Sequence, residues 1–372
     1  MDDSSPGSPD NLWDLPKEPP PRRLPPRLSL DQYLVRIAEI RAWFPQSIPT
    51  PEERLRSKVD VPFELGAWAT NQPLSSDKPL SIQTMKSPKI IAEIGCNHKG
   101  DMAIAKEMIM IAATFCKVDV VKFQKRNARE LLTPEQYSAP HPNPMHAYGP
   151  TYGAHREALE LNMEQHAQLK AWCEDYGAIY STSVWDLTSA REVAELNPKL
   201  IKIPSACNLH WDLLGYLADK YAGEIHISFG MTTHAEEEQV IQFFETRGRA
   251  KDVVVYSCTS GYPVAFEDIC LREISRLQER YAQRVKEIGF SGHHLGIAAD
   301  VAAITLGATW VERHFTLDRT WKGTDHAASL EADGMRRLVR DLQNVAKALE
   351  YKATELLAVE KVQRDKLKWI QR

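Results

Sequence analysis

The chain has 372 residues, 43% hydrophobic and 26% charged, enough for one large domain or two smaller ones and unlike a disordered or fibrous protein. A net charge of −4, a pI near 6.3 and the lack of a basic patch interleaved with aromatics argue against a nucleic-acid partner. No apolar run is long enough to span a bilayer, no secretory leader opens the chain, and the 6 cysteines are scattered without a Cys-x-x-Cys pair, so a cytoplasmic protein with free thiols is expected.

Residues 1–28 read as a disordered tail, with prolines at 6, 9, 16, 19, 20, 21, 25 and 26 and few large apolar groups. From Ser29, the text SLDQYLVRIAEIRAWF spaces Tyr33, Leu34, Ile37, Ile40 and Trp43 for a short amphipathic helix; an irregular, proline-punctuated arm follows to residue 88. From Lys89 the pattern turns regular. Short β-branched runs at 89–94, 118–124, 178–183, 200–205, 224–230, 252–258, 287–292 and 309–315 alternate with longer helical stretches. Thr133-Pro134-Glu135-Gln136 and Thr233-x-x-Glu236 are helix-start signals, and Glu236-Glu237-Glu238 reads as a solvated first turn. The expected fold is a (β/α)8 TIM barrel over 89–350, with an N-terminal extension and a long C-terminal helix. A doubly wound sheet is the alternative, weakened because no strand is followed by a Gly-x-Gly-x-x-Gly or Walker-type loop. From Ala332, Leu338, Leu342, Val345, Leu349 and Leu356 mark one side of a charged helical segment, whose last part, 351–372, is expected as a surface or subunit-contact extension.

A barrel interior wants aliphatic side chains, so polar residues near strand ends need another reason. Glu93, Lys122, Gln124, Thr182, Lys202, Ser205, Ser228, Ser257, Ser291, His293, Glu312 and His314 all stand there. Lys122 and Lys202 are either snorkelling cations or, with Thr182, Ser205, Ser228 and Ser291, a pocket for a phosphorylated or carboxylated anion. His293 and His314 end neighbouring strands and could reach one divalent ion, with Asp325 and Glu93 nearby; ligand type alone leaves Mn, Fe, Co and Zn open. Glu93 is either the partner of a barrel lysine or a base that positions water. Tyr262, between Gly261 and Pro263, is a turn aromatic or a wall of the substrate site.

The ordered motifs IAEIGCNHKGD, VVKFQ, STS, IKIPS, ISFGM, YSCTSGYP, FSGHHLGI, ERHFTLDR and GTDHAASLE resemble the sialic acid synthase (N-acetylneuraminate synthase) family over about residues 89–350. The resemblance implies a barrel that condenses phosphoenolpyruvate with an N-acylmannosamine-type aldehyde, giving a 2-keto-3-deoxy sugar acid and phosphate. It implies Mn²⁺ or Mg²⁺ on His293 and His314, and phosphoenolpyruvate on Lys122, Thr182, Lys202, Ser205, Ser228 and Ser291. Glu93 would stand near the metal, Asp325 and Tyr262 against the sugar, and a homodimer is a further expectation. The chain departs from the family pattern at Ser205-Ala206-Cys207, where an acid usually follows Ser-Gly, and at Ser291-Gly292-His293-His294, where Ser-Asp-His-Thr is usual. It also ends at Arg372, before the C-terminal antifreeze-like domain of many members. A pyruvate-dependent metal aldolase and a catalytically degenerate sugar-binding barrel are the competing functions.

Overall fold

The computed structural model describes residues 87–369; the predicted tail at 1–28, nearly all of the helix and arm at 29–88, and residues 370–372 lie outside the described residues. Each predicted strand run forms a strand: β1 (Lys89–Gly95), β2 (Val120–Lys125), β3 (Ile179–Val184), β4 (Leu200–Ile203), β5 (Glu224–Ser228), β6 (Val253–Cys258), β7 (Glu287–Gly292) and β8 (Trp310–His314). They close in sequence order into one parallel barrel, β8 pairing back onto β1.

The helices, in chain order, are α1 (Met102–Met110), α2 (Ala128–Leu131), α3 (Pro134–Ser138), α4 (Tyr152–Ala158), α5 (Met163–Asp175), α6 (Leu187–Leu196), α7 (Trp211–Lys220), α8 (His234–Thr246), α9 (Arg272–Tyr281), α10 (Ala298–Thr305), α11 (Ala332–Ala348) and α12 (Ala358–Leu367). Both predicted capping boxes are formed, at Thr133 with Gln136 and at Thr233 with Glu236. The glutamate run opening α8 differs from its expected solvation: Glu237 is buried and holds Arg276 at 2.7 and 2.8 Å, while Glu238 holds Arg284 at 2.8 Å. Two arginines on the next helix, α9 and its exit, supply the partners that the sequence spacing does not show. The expected C-terminal helix is α11, whose stripe of Met335, Leu338, Val339, Leu342 and Ala346 is buried. Past Ala346 nothing apolar is buried at helical spacing, the helix stops, and the charged remainder restarts as the separate α12.

Alternation along the strands divides the chain between two environments. Outward residues such as Ile90, Ala92, Ile94, Val121 and Phe123 pack under the helices. Inward residues Ile91, Val120, Leu200, Val254, Tyr256 and Trp310 fill the lower barrel. Two residues farther along the same strands the inward positions change character: Ile91 gives way to Glu93, Val120 to Lys122, Leu200 to Lys202 and Trp310 to Glu312. An apolar plug therefore supports a polar layer at the C-terminal mouth.

The fold also buries histidines that do not line the cavity at that mouth. His166 shares a 2.7 Å hydrogen bond with Tyr180 and His226 one of 2.7 Å with Tyr256, while His98 Nδ1 accepts from the Gly100 amide. Burial lowers His98 and His226 to about 4 and His166 to about 3. The unfolded chain takes up these protons near pH 6.5, so the stability gained by keeping the rings neutral is complete above that pH. It is lost as pH falls towards 4, at up to about 1.4 kcal/mol per pH unit for each ring. Urea unfolding midpoints are expected to fall steadily between pH 7.5 and 5; a flat profile would contradict this account.

Candidate active site

The polar layer opens into a cavity of 270 Å³ lined by residues from every strand end or the loop after it, including Glu93, Lys122, Ser183, Lys202, Ser228, Cys258, Ser291 and Glu312. At its floor, Lys122 Nζ lies 2.6 Å from Glu93 Oε2 and 3.6 Å from Glu312 Oε1, and donates to Ser183 Oγ at 2.7 Å. Lys202 Nζ lies 2.9 Å from Glu312 Oε2 and 3.8 Å from the centre of the Tyr256 ring. Burial alone would lower both lysines. Glu312 and Glu93 more than offset it at Lys122, which sits above its ordinary value, whereas Lys202 has one carboxylate, a neighbouring cation, and a lowered pKa. Glu312, against its own burial, is held well below the usual carboxylate range by the two ammonium groups.

Most of the predicted residues meet here. Lys122, Lys202, Ser205, Ser228, Ser291, Glu93, Tyr262, His293 and His314 all line the cavity. Thr182 does not: it is completely buried between the outward Tyr180 and Val184, and its neighbour Ser183 faces the lysine instead. Asp325 stands at the rim in the loop after β8, with Oδ2 3.8 Å from His314 Nδ1. Glu312 was legible only as a polar strand end, yet it joins both lysines and accepts from Ser291 Oγ at 3.2 Å. Gln124, which donates to Glu93 at 2.8 Å, and the loop residues Trp185, Met231 and Ser260 complete the lining. At the altered motif after β4, Cys207 turns away from the cavity and donates to the Trp185 carbonyl at 3.0 Å.

His293 and His314 face each other with ring centres 5.4 Å apart, and the half-exposed Tyr262 ring lies 4.2 Å from that of His293. Burial, then the neighbouring His314, lowers His293 to about 3, so it is neutral at pH 7. Its Nδ1 is 3.0 Å from the Thr259 carbonyl. Only a protonated Nδ1 satisfies that oxygen, which leaves the Nε2 lone pair free, the arrangement a metal-ligating histidine needs. His314 Nδ1 is buried without a hydrogen-bond partner. These two donors, with Asp325, fit a divalent cation. Among the described residues no group of three or more His, Cys, Asp or Glu side chains already converges as a ligand set.

A larger cavity of 510 Å³ lies between the β5 and β6 loops, lined by Thr232, Thr233, Glu237, Glu273 and Arg276. Its one arginine is already paired with Glu237 and Glu273, and although His234, Cys258 and Cys270 also line it, it holds no lysine; the buried lysines and the facing imidazoles belong to the smaller cavity. A parallel eight-stranded barrel with buried lysines, carboxylates and histidines at its C-terminal mouth is the architecture of a TIM-barrel enzyme. The chain belongs to the NeuB family, whose model matches residues 108–354. It is 37% identical over 278 residues to the N-acetylneuraminate-9-phosphate synthase of Homo sapiens, covering 75% of this chain and 76% of that one. It is 32% identical to the N,N'-diacetyllegionaminic acid synthase of Campylobacter jejuni over 71% of this chain and 78% of that one. A solved N-acetylneuraminic acid synthetase from Leptospira borgpetersenii superposes with a TM-score of 0.64 at 26% identity, covering 77% of this chain and 94% of that one. The protein is accordingly an enzyme of the sialic acid synthase type. No helix among the described residues is long and apolar enough to cross a membrane.

Proposed function

We propose that the protein condenses phosphoenolpyruvate with an N-acylmannosamine-like sugar aldehyde in the cytoplasm, using Mn²⁺ or Mg²⁺. The observation that carries this reading is the juxtaposition, in one cavity, of two buried lysines ringed by hydroxyls with two imidazoles on adjacent strands. Lys122, Lys202, Ser183, Ser205, Ser228 and Ser291 would hold the phosphate and carboxylate oxygens by charge-assisted hydrogen bonds. His293 and His314, with Asp325, would hold the metal, which when bound supplies Lewis-acid polarisation of the aldehyde oxygen.

Charge supports the metal. Glu93, Glu312 and Asp325 bring three negative charges against the two of Lys122 and Lys202, an excess of one negative charge that favours a cation beside the imidazoles. A divalent cation reverses that sign. In the reaction, C3 of the enol forms a bond to the aldehyde carbon, whose oxygen becomes a hydroxyl on taking up a proton. Water adds at C2, and the resulting tetrahedral carbon collapses to the ketone with cleavage of the C–O bond to phosphate. Glu93, fixed by Lys122 and Gln124, is placed to orient that water and accept its proton.

The lowered pKa of the buried Lys202 favours a second reading, a Schiff-base aldolase that uses pyruvate. One experiment separates the two. Purified protein with Mn²⁺ is given phosphoenolpyruvate and, in turn, mannose, N-acetylmannosamine, its 6-phosphate and diacetamido-hexoses, and phosphate and product mass are followed. One phosphate per sugar acid is expected. Condensation of pyruvate without phosphate release would replace the synthase with the aldolase, and ligand binding with no product from any aldehyde would leave a binding barrel.

A further inference from the structure

On the outward side of β7 and β8, directly behind the two imidazoles, lies a buried polar cluster that the proposed reaction does not use. His294, Asp300 and Arg313 are each 0% exposed. Arg313 sits between Glu312 and His314 on β8 and pairs in register with Gly292 on β7. Its guanidinium donates to the carbonyl oxygens of His294 and Gly296 at 2.5 and 2.8 Å, and to Asp300 Oδ2 at 2.5 Å. Asp300 belongs to the first turn of α10. His294 Nε2 lies 3.2 Å from the same Asp300 oxygen and 3.0 Å from Arg313 Nη1.

A fully buried ion pair contributes little net stability, because desolvating two charges costs about as much as their attraction returns. The contribution of this one is geometric. The guanidinium fork ties two carbonyls that closely follow His293 to the strand position just before His314, so the backbones carrying the two imidazoles are fixed to each other. Gly292 is part of the same arrangement. A Cβ there would stand 2.8 Å from the Phe290 ring and 2.9 Å from Cε1 and Nδ1 of His294. The His294 imidazole, with the Phe290 ring, thus occupies the room a side chain at 292 would need.

We infer that Gly292, His294, Asp300 and Arg313 form a single positioning unit that sets where His293 presents its imidazole beside His314. The consequence for metal binding rests on the reading of that pair as a metal site. Arg313→Lys tests the fork, because one ammonium retains the charge but lacks the planar set of donors that reaches two carbonyls and a carboxylate together. Gly292→Ala tests the packing without removing a hydrogen bond. Two quantities are read on folded protein: the His293 ring signals by NMR without metal, and the Mn²⁺ dissociation constant by electron paramagnetic resonance. Both variants are expected to shift the ring signals and to weaken Mn²⁺ binding by about 10- to 100-fold, the range for lost support of a metal ligand. Phosphoenolpyruvate affinity should stay within roughly twofold of wild type, since a general loss of structure would reduce it too. Unmoved ring signals and wild-type Mn²⁺ affinity in the two single variants would overturn the inference. Should Arg313→Lys not fold, Gly292→Ala decides alone. Ring signals that move in a protein taking up no Mn²⁺ support the positioning and overturn the metal reading.

Discussion

His314→Ala is expected to reduce kcat/KM by at least about 10³-fold, a loss of roughly 4 kcal/mol in transition-state stabilisation. His314 ends β8 opposite Glu93 of β1, with Nδ1 buried, unbonded and 3.8 Å from Asp325. On the proposed reading, its removal takes away one of the two imidazoles that would hold the metal, and with it the Lewis acid that would polarise the aldehyde. The anion pocket is built from other residues, chiefly Lys122, Lys202 and Ser183, so phosphoenolpyruvate binding measured by calorimetry should change only a few-fold. Melting should also stay near wild type, because no hydrogen bond to Nδ1 is lost. Phosphate release at the wild-type rate, with unchanged metal content, would remove His314 from the mechanism.

Much of this site is readable from alternation alone. Wherever an aliphatic inward position is followed two residues later by a charged one, as with Ile91 and Glu93 or Leu200 and Lys202, the sequence marks both the strand and the floor of the cavity. The third strand defeats that reasoning. Ser181, Thr182 and Ser183 put hydroxyls on both faces, so the phase of the strand is hidden until register with β2 places Ser183 next to Gln124 and in reach of Lys122. Glu312 was obscured differently: its importance lies in pairing with lysines 110 and 190 residues away in the chain, which no local pattern encodes. The Arg276 and Arg284 partners of the α8 glutamates escaped for the same reason. Asp325, carried by a loop, was accessible through family resemblance and not through periodicity.

The second large effect separates the two lysines. Lys122→Met is expected to damage the fold as well as the reaction, because Lys122 is the cation 2.6 Å from Glu93, whose Oε2 has no hydrogen bond apart from that ion pair. Leaving one partner of a buried ion pair costs about 3–5 kcal/mol, so the melting temperature should fall by roughly 10 °C. Lys202→Met leaves Glu312 near Lys122 at 3.6 Å and accepting from Ser291 at 3.2 Å, and no carboxylate is stranded. Its stability loss should be well under half as large. Its effect belongs to the substrate: one charge-assisted bond to the anion, worth about 1.5–3 kcal/mol, is gone, and the KM for phosphoenolpyruvate should rise by roughly 10- to 100-fold. Glu93→Gln added to Lys122→Met removes the uncompensated charge and should restore most of the lost melting temperature while leaving the activity low. If the double variant melts no higher than Lys122→Met, the damage does not come from the stranded carboxylate, and the division of labour between the lysines fails with it.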